Sequence, residues 1–210
     1  MESKFITLEG SDGAGKTTAL RRVLRIIRPL LGKRLLLTRE PGGNSIAEEV
    51  RKVILDPKNV KMDARTEALL YAAARSQHVT QTILPALKRN QIVLCDRYVD
   101  SSIAYQGGGR QLGVHPIDEL NRYATRGLQP DLTIYFQVPV QVGLDRIKEH
   151  RQDDIDRLDR EKMTFYKRVN STYHQLAIAN PQRIQVVNAD RPIGQVVKQV
   201  VQILKQIIKW

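Results

Sequence analysis

Five short runs along the chain are apolar at nearly every position: FITLE at 5–9, RLLLT at 34–38, QIVLC at 91–95, LTIYF at 132–136 and RIQVV at 183–187. A strand with one face in water alternates apolar and polar residues, whereas a continuous apolar run fits a strand covered on both faces. Longer segments with helical spacing separate the runs, as crossover helices between parallel strands would. The pattern therefore predicts an α/β chain with a doubly wound parallel sheet of five strands, and ligands at the carboxyl ends of those strands. The clearest helix is the last one. After Asp190 and Pro192 as start signals, Val196, Val197, Val200, Val201, Leu204, Ile207 and Ile208 form one stripe that packs on the sheet or on a partner. Residues 64–87 read as another long, fairly apolar helix. No internal repeat or low-complexity linker divides the chain, and 210 residues with 41% hydrophobic content suit a single domain over 1–210.

Between the first strand and the first helix stands GSDGAGKT, residues 10–17. Gly10, Gly15, Lys16 and Thr17 occupy the fixed places of GxxxxGK(S/T). Glycines let backbone N–H groups converge on an anion, the helix N-terminus adds positive potential, the lysine reaches β and γ phosphates, and the threonine can ligate Mg²⁺. A nucleoside triphosphate site over Gly10, Ser11, Asp12, Gly13, Ala14, Gly15, Lys16, Thr17 and Thr18 follows from that pattern. Three more polar clusters come at or soon after strand ends: TREPGG at 38–43, DRY at 96–98 and SSIAYQGGGR at 101–110. Asp96 closes an apolar strand, where a carboxylate can hold Mg²⁺ beside Thr17. Arg39 and Arg97 flank the same expected cleft, and a guanidinium fork suits phosphate oxygens.

Charge sharpens this picture without changing it. A net charge of +12 suits nucleic acid or phosphorylated small molecules. Aromatic content of 5% and the lack of an RNP-like run or recognition-helix motif argue against nucleic acid as the main partner. No segment approaches the roughly 18 apolar residues of a membrane helix, and MESKFITLEG runs straight into a strand without a signal-peptide pattern. The single cysteine, Cys95, lies in a strand run and reads as buried. A cytoplasmic enzyme without membrane or nucleic-acid partners is the expectation. The most charged stretch, residues 145–162, reads either as a solvated helix pair or as a mobile lid, placed at about 146–162.

Taken together and in order, FITLEGSDGAGKTT, TREPGG, TEALLYAAARSQHV, VLCDRYVDSSIAYQGGGR, GLQPDLTIYF, DRLD and VVNADRP resemble the thymidylate kinase family over nearly the whole chain. The resemblance implies the P-loop nucleoside monophosphate kinase type of fold, ATP and Mg²⁺ as cofactors, thymidine monophosphate (dTMP) as phosphoryl acceptor, and a homodimer through long helices such as 64–87. It implies that Asp12 reaches the acceptor's 3′-hydroxyl and that Arg39 and Arg97 hold its phosphate. Ser102, Tyr105 and Gln106 would line the nucleoside, with the tyrosine ring where a 2′-hydroxyl would come. Tyr71 and Arg75 lie one helical turn apart, so the ring can stack on thymine while the guanidinium donates to O4. Arg146 and residues 188–190 would border adenine. Many members carry Phe where this chain has Tyr71.

Phosphoryl transfer to an ionised phosphate oxygen needs positioning and charge neutralisation more than a general base, and none of the four histidines sits in a cluster suggesting one. Some members of the family carry a catalytic arginine among the variable loop residues, but here those are Ser11, Asp12, Gly13 and Ala14. This chain therefore resembles the bacterial type whose arginine comes from the lid: Arg151 first, Arg157 in DRLD second, beside Lys16 and Arg97. Rival readings are another nucleoside monophosphate kinase, a GTP-binding switch protein, for which no NKxD motif is present, and a nucleic-acid motor.

Overall fold

The computed structural model describes residues 2–150, 157–158 and 161–208. Its centre is one sheet of five parallel strands, β1 (Lys4–Glu9), β2 (Leu35–Arg39), β3 (Ile92–Asp96), β4 (Leu132–Gln137) and β5 (Ile184–Asn188), in the order β2-β3-β1-β4-β5. Both faces of the sheet are covered. Ile6 and Leu8 of β1 with Ile92 and Leu94 of β3 pack on α1 (Lys16–Leu31), and the same core takes in the final helix. Phe5, Val93 and Cys95 point to the opposite face, where Ala68, Val79, Ile83 and Ile117 meet them. Each such aliphatic side chain contributes roughly 1.5–3 kcal/mol when fully buried, which is why these runs carry no polar alternation.

The remaining helices are α2 (Ser45–Leu55), α3 (Ala64–His78), α4 (Leu84–Lys88), α5 (Val99–Ser102), α6 (Val114–Thr125), α7 (Val140–His150), α8 (Met163–Ala179) and α9 (Ile193–Ile207). Asn44 and Asp63 cap α2 and α3 by accepting from backbone N–H groups of their first turns. On α9 the stripe is as expected, with Val196, Val197, Val200, Leu204 and Ile208 buried against α1 and the sheet. Among the described residues no helix is long and apolar enough to cross a membrane.

Two expectations are corrected in detail. β2, β3 and β5 start and end one residue later than the apolar runs, and β1 and β4 each gain a residue at one end, so Arg39 and Asp96 are the last residues of β2 and β3. Residues 64–87 do not form one regular α-helix: α3 passes through a wider π-helical turn at Val79–Ile83 into the short α4. Pro85 has no N–H to give and its ring crowds the carbonyl four residues back, which accounts for the widened turn just before it. The charged stretch begins as the end of α7 and closes before α8; of the expected lid, residues 151–156, Arg151 among them, and 159–160 lie outside the described residues.

Candidate active site

The loop between β1 and α1 is shaped by its glycines. Gly10 has φ 141° and a Cβ there would stand 2.6 Å from the Phe136 carbonyl oxygen of β4. Gly13 has φ 72° and a Cβ would stand 2.0 Å from the Gly143 carbonyl oxygen of α7, so backbone passes backbone too closely for any side chain. Lys16 begins α1 with its ammonium turned back into the loop, donating to Gly10 O at 2.7 Å and Ser11 O at 3.0 Å. Burial, followed by the charge of Arg97, pulls this lysine down to about 8. Residues 12–18 of the loop line a cleft of about 960 Å³ that also takes in Arg39, Tyr71, Arg75, Asp96 and Arg97.

Arg97 is the hub of that cleft. Its backbone adopts φ 70°, rare for a non-glycine residue, which turns the chain sharply after β3. One guanidinium nitrogen, Nη2, donates to Asp12 Oδ1 at 2.8 Å; the other, Nη1, donates to Gly10 O at 3.0 Å and Ser101 Oγ at 3.1 Å. Gly10 O thus accepts from both Lys16 and Arg97, and the two cations share one carbonyl. Tyr105 closes the group: its hydroxyl donates to Asp12 Oδ2 at 2.7 Å and accepts from the Asp12 N–H at 3.0 Å, with the Arg97 guanidinium 5.1 Å from the ring centre. Asp96 Oδ1 is buried without a hydrogen-bond partner among the described residues, in the same cleft as Thr17. A buried carboxylate oxygen in one cleft with a hydroxyl suits a hard divalent cation.

The expected base-binding residues are gathered by α3 and the segment after α5. Arg75 is 2% exposed, and its Nε donates to Glu40 Oε2 at 2.6 Å, Nη1 to Ser102 Oγ at 2.9 Å and to Asn121 Oδ1, and Nη2 to Tyr98 O at 3.0 Å. Of five N–H groups, one on Nη2 is left for a ligand. The other oxygen of Glu40 meets His78 Nδ1 at 2.9 Å, while His78 Nε2 meets Thr38 Oγ1 at 2.7 Å. Tyr71 lines the cleft one turn from Arg75, as the spacing required. Arg39 lines it too, but its guanidinium forks onto Glu48 at 2.9 and 3.0 Å and is half exposed. At the other end Arg146 donates to Ala189 O at 3.2 Å, bringing together the expected adenine neighbours.

Gln106 is 1% exposed and donates to Glu67 Oε1 at 2.9 Å. Glu67 also receives Arg110 at 3.0 Å and Arg157 Nη2, and Arg157 Nε donates to Ile54 O at 3.0 Å. Arg157, expected as a second candidate for catalysis, is therefore 6% exposed and committed to a buried pair, and it is not among the residues lining the cleft. Burial pushes Glu67 up, but the hydrogen bonds from Arg110, Gln106 and Arg157 outweigh it and hold the carboxyl below the usual range. Its contribution to stability is present above the unfolded-state value and is lost as pH falls through the lower folded one. Glu67→Gln leaves two arginines facing a neutral amide and is expected to cost about 3 kcal/mol at pH 7 in denaturant unfolding, with the deficit shrinking at acid pH.

Sequence reasoning missed Glu9, Glu40, Glu67, Asp100 and Tyr173, all buried and all hydrogen-bonded to cleft residues or to the groups around them. Glu9 had a readable signal: a carboxylate at the end of an otherwise apolar strand, as with Asp96. Tyr173 had none, because one tyrosine on a helix reads as core.

A parallel sheet with its glycine loop at the carboxyl end of β1, and a cleft that joins Lys16 and Arg97 to the Asp96 carboxylate and the buried Arg75, fit an α/β phosphotransferase of the nucleoside monophosphate kinase type. A family model described as thymidylate kinase matches residues 8–200. The chain is 54% identical over 204 residues to the thymidylate kinase of Lactiplantibacillus plantarum, covering 97% of this chain and 92% of that one. It is 51% identical over 208 residues to that of Pediococcus pentosaceus, covering 99% and 100%. The crystal structure of thymidylate kinase from Ehrlichia chaffeensis superposes with a TM-score of 0.80 at 33% identity, covering 98% of this chain and 99% of that one. The chain belongs to the thymidylate kinase family.

Proposed function

We propose that this enzyme transfers the γ-phosphoryl group of ATP to dTMP, giving dTDP and ADP, with Mg²⁺ held by Thr17 and Asp96. The observation that supports the reading is the junction at Gly10 O, where Lys16 of the glycine loop meets Arg97, which also reaches Asp12 and the Tyr105 ring; we assign the first to the triphosphate and the second to the acceptor. Mg²⁺, when bound, neutralises phosphate charge. An oxygen of the acceptor's phosphate attacks the γ-phosphorus, the bond from that phosphorus to the β,γ-bridging oxygen breaks, and the electron pair leaves with ADP. Lys16 supports the charge on the β and γ oxygens, and Arg97 holds the acceptor phosphate in line. Asp12, fixed by Arg97 and Tyr105, presents a carboxylate to the 3′-hydroxyl, and the Tyr105 ring excludes a 2′-hydroxyl. Tyr71 stacks on the base, the remaining Arg75 N–H donates to O4, and Ser102 and Gln106 complete the pocket. Arg39 leaves Glu48 for the phosphate when acceptor is bound, and Arg151 completes the charge neutralisation from the lid, about residues 146–162.

A panel of dTMP, UMP, AMP and GMP with MgATP under single-turnover conditions tests the reading: dTMP is phosphorylated fastest, and faster turnover of UMP or AMP would overturn the base-pocket assignment. Nucleic-acid-stimulated ATP hydrolysis without any acceptor would point to a motor instead.

Lys16 also makes a measurable pH prediction. With a free-enzyme value near 8, it is partly neutral above that pH; triphosphate oxygens favour the ammonium and raise the value. ATP binding is therefore expected to take up protons, increasingly from pH 7 to 9. Calorimetry in buffers of different ionisation enthalpy reads this directly, and proton release in that window would contradict the assignment.

α2 and α3 pack together and leave Ile46, Val53 and Leu69 exposed. We read this apolar face as the contact of a homodimer, which sedimentation at micromolar concentration checks: a monomer there would remove it.

A further inference from the structure

Glu9 ends β1 with 0% of its surface exposed, and among the described residues the hydrogen bonds to its side chain come from groups next to or touching Arg97. The Tyr98 N–H donates to Oε1 at 2.6 Å; Ser101 Oγ and the Tyr173 hydroxyl donate to Oε2 at 2.5 and 2.9 Å. Those same two hydroxyl oxygens lie 3.1 and 3.4 Å from Arg97 Nη1. We infer that Glu9 is a positioning residue for the acceptor phosphate: as a carboxylate it draws the Ser101 and Tyr173 hydrogens to itself, turning their lone pairs towards the Arg97 guanidinium. This rests on the reading of Arg97 as the arginine that holds the acceptor phosphate.

The hydrogen-bond direction carries the argument. A carboxylate only accepts, so Ser101 and Tyr173 must present oxygen to Arg97, whose Nη1 only donates. When Glu9 is protonated, its own O–H competes for one of those oxygens, and the hydroxyl hydrogens are free to turn towards the guanidinium. Charged groups surround Glu9 on every side. Arg97 after β3, Lys16 of α1, Arg75 of α3 and Arg183 before β5 favour its anion, while Asp100 of α5 opposes it. Asp100 is itself tied to Arg183 at 2.6 and 2.9 Å. Burial dominates and lifts the Glu9 carboxyl to about 7, with Asp100 adding to the rise and Ser101, Arg97 and Tyr173 pulling back. The switch between the two arrangements thus falls in the working range of a neutral-pH enzyme.

Glu9→Gln keeps the shape and substitutes an amide that donates where the carboxylate accepts. The expected result is a rise in KM for dTMP of about tenfold at pH 8, with KM for ATP within about twofold, the scale of one hydrogen bond to a charged group. A general loosening of the fold would raise both constants. The ratio of wild-type to variant kcat/KM for dTMP cancels the acceptor's own ionisation; it is expected to stay near one below pH 6 and to climb through pH 7. Tyr173→Phe, which removes only a hydroxyl, is expected to raise the same KM about threefold and decides the matter if Glu9→Gln does not fold. Arg97→Ala in parallel separates the two claims. If it raises KM for dTMP while Glu9→Gln gives a flat ratio and Tyr173→Phe changes nothing, the positioning role is wrong and the Arg97 reading stands. If Arg97→Ala leaves KM for dTMP unchanged, the reading of Arg97 falls and the inference with it.

Discussion

Arg151→Ala is expected to lower kcat by about 10³ while changing ATP affinity less than about threefold, the scale at which a single transition-state arginine acts. The loop offers no arginine at residues 11–14, and Lys16 and Arg97 are both anchored on Gly10 O, in the proposed reading one for each substrate. The charge that moves with the γ-phosphoryl therefore needs a third cation. Arg157 is poorly placed to supply it, since Glu67 and Ile54 O hold its guanidinium among buried groups. Leaving that pair would strand the Glu67 carboxylate with Arg110 and Gln106. Arg157→Ala is accordingly expected to act first on stability, and Arg151→Ala on the rate of transfer. Rapid-quench measurement of dTDP formation separates them: near-normal kcat for Arg151→Ala would move the role to another lid cation.

Lys16→Ala is expected to lower kcat by about 10²–10³, as loss of one preorganised donor to a developing anion does. The ammonium is held by two carbonyls and sits in a site dry enough to depress its proton affinity, so its charge is little screened when phosphate oxygens arrive. Lys16→Arg is not expected to restore the rate, because a planar fork does not reproduce the compact point charge that donates to Gly10 O and Ser11 O together. Single-turnover transfer by either variant within tenfold of the parent would remove Lys16 from the chemistry.

Much of this architecture was legible because it repeats simple rules. Strands buried on both faces must be apolar at nearly every position, and β1 and β3 are until the carboxylates that end them; a stripe such as that of α9 must follow the helical period, and it does. The loop was legible from Gly10, Gly15, Lys16 and Thr17 at their fixed spacing, whereas the close backbone approach at Gly13, a variable place of the motif, emerged only in the fold. The supporting acids were not. Glu40, Glu67 and Asp100 look like surface charges in sequence, and only the fold buries each against an arginine, Arg75, Arg157 and Arg183 in turn. Arg75 illustrates the limit: the spacing to Tyr71 set it on the cleft, but nothing local revealed that four of its five N–H groups are already taken. The break after α3 was likewise hidden, because an apolar helix with one proline near its end has the same periodicity as an unbroken one.

The assignment of the acceptor site is tested most directly by a crystal structure of the enzyme with dTMP. The account predicts the thymine ring stacked on Tyr71 with O4 at the remaining Arg75 N–H, the 3′-hydroxyl at Asp12, and the phosphate on Arg97 with Arg39 released from Glu48. A nucleotide bound with its phosphate away from Arg97, or with its base outside the pocket of Tyr71 and Arg75, would contradict it.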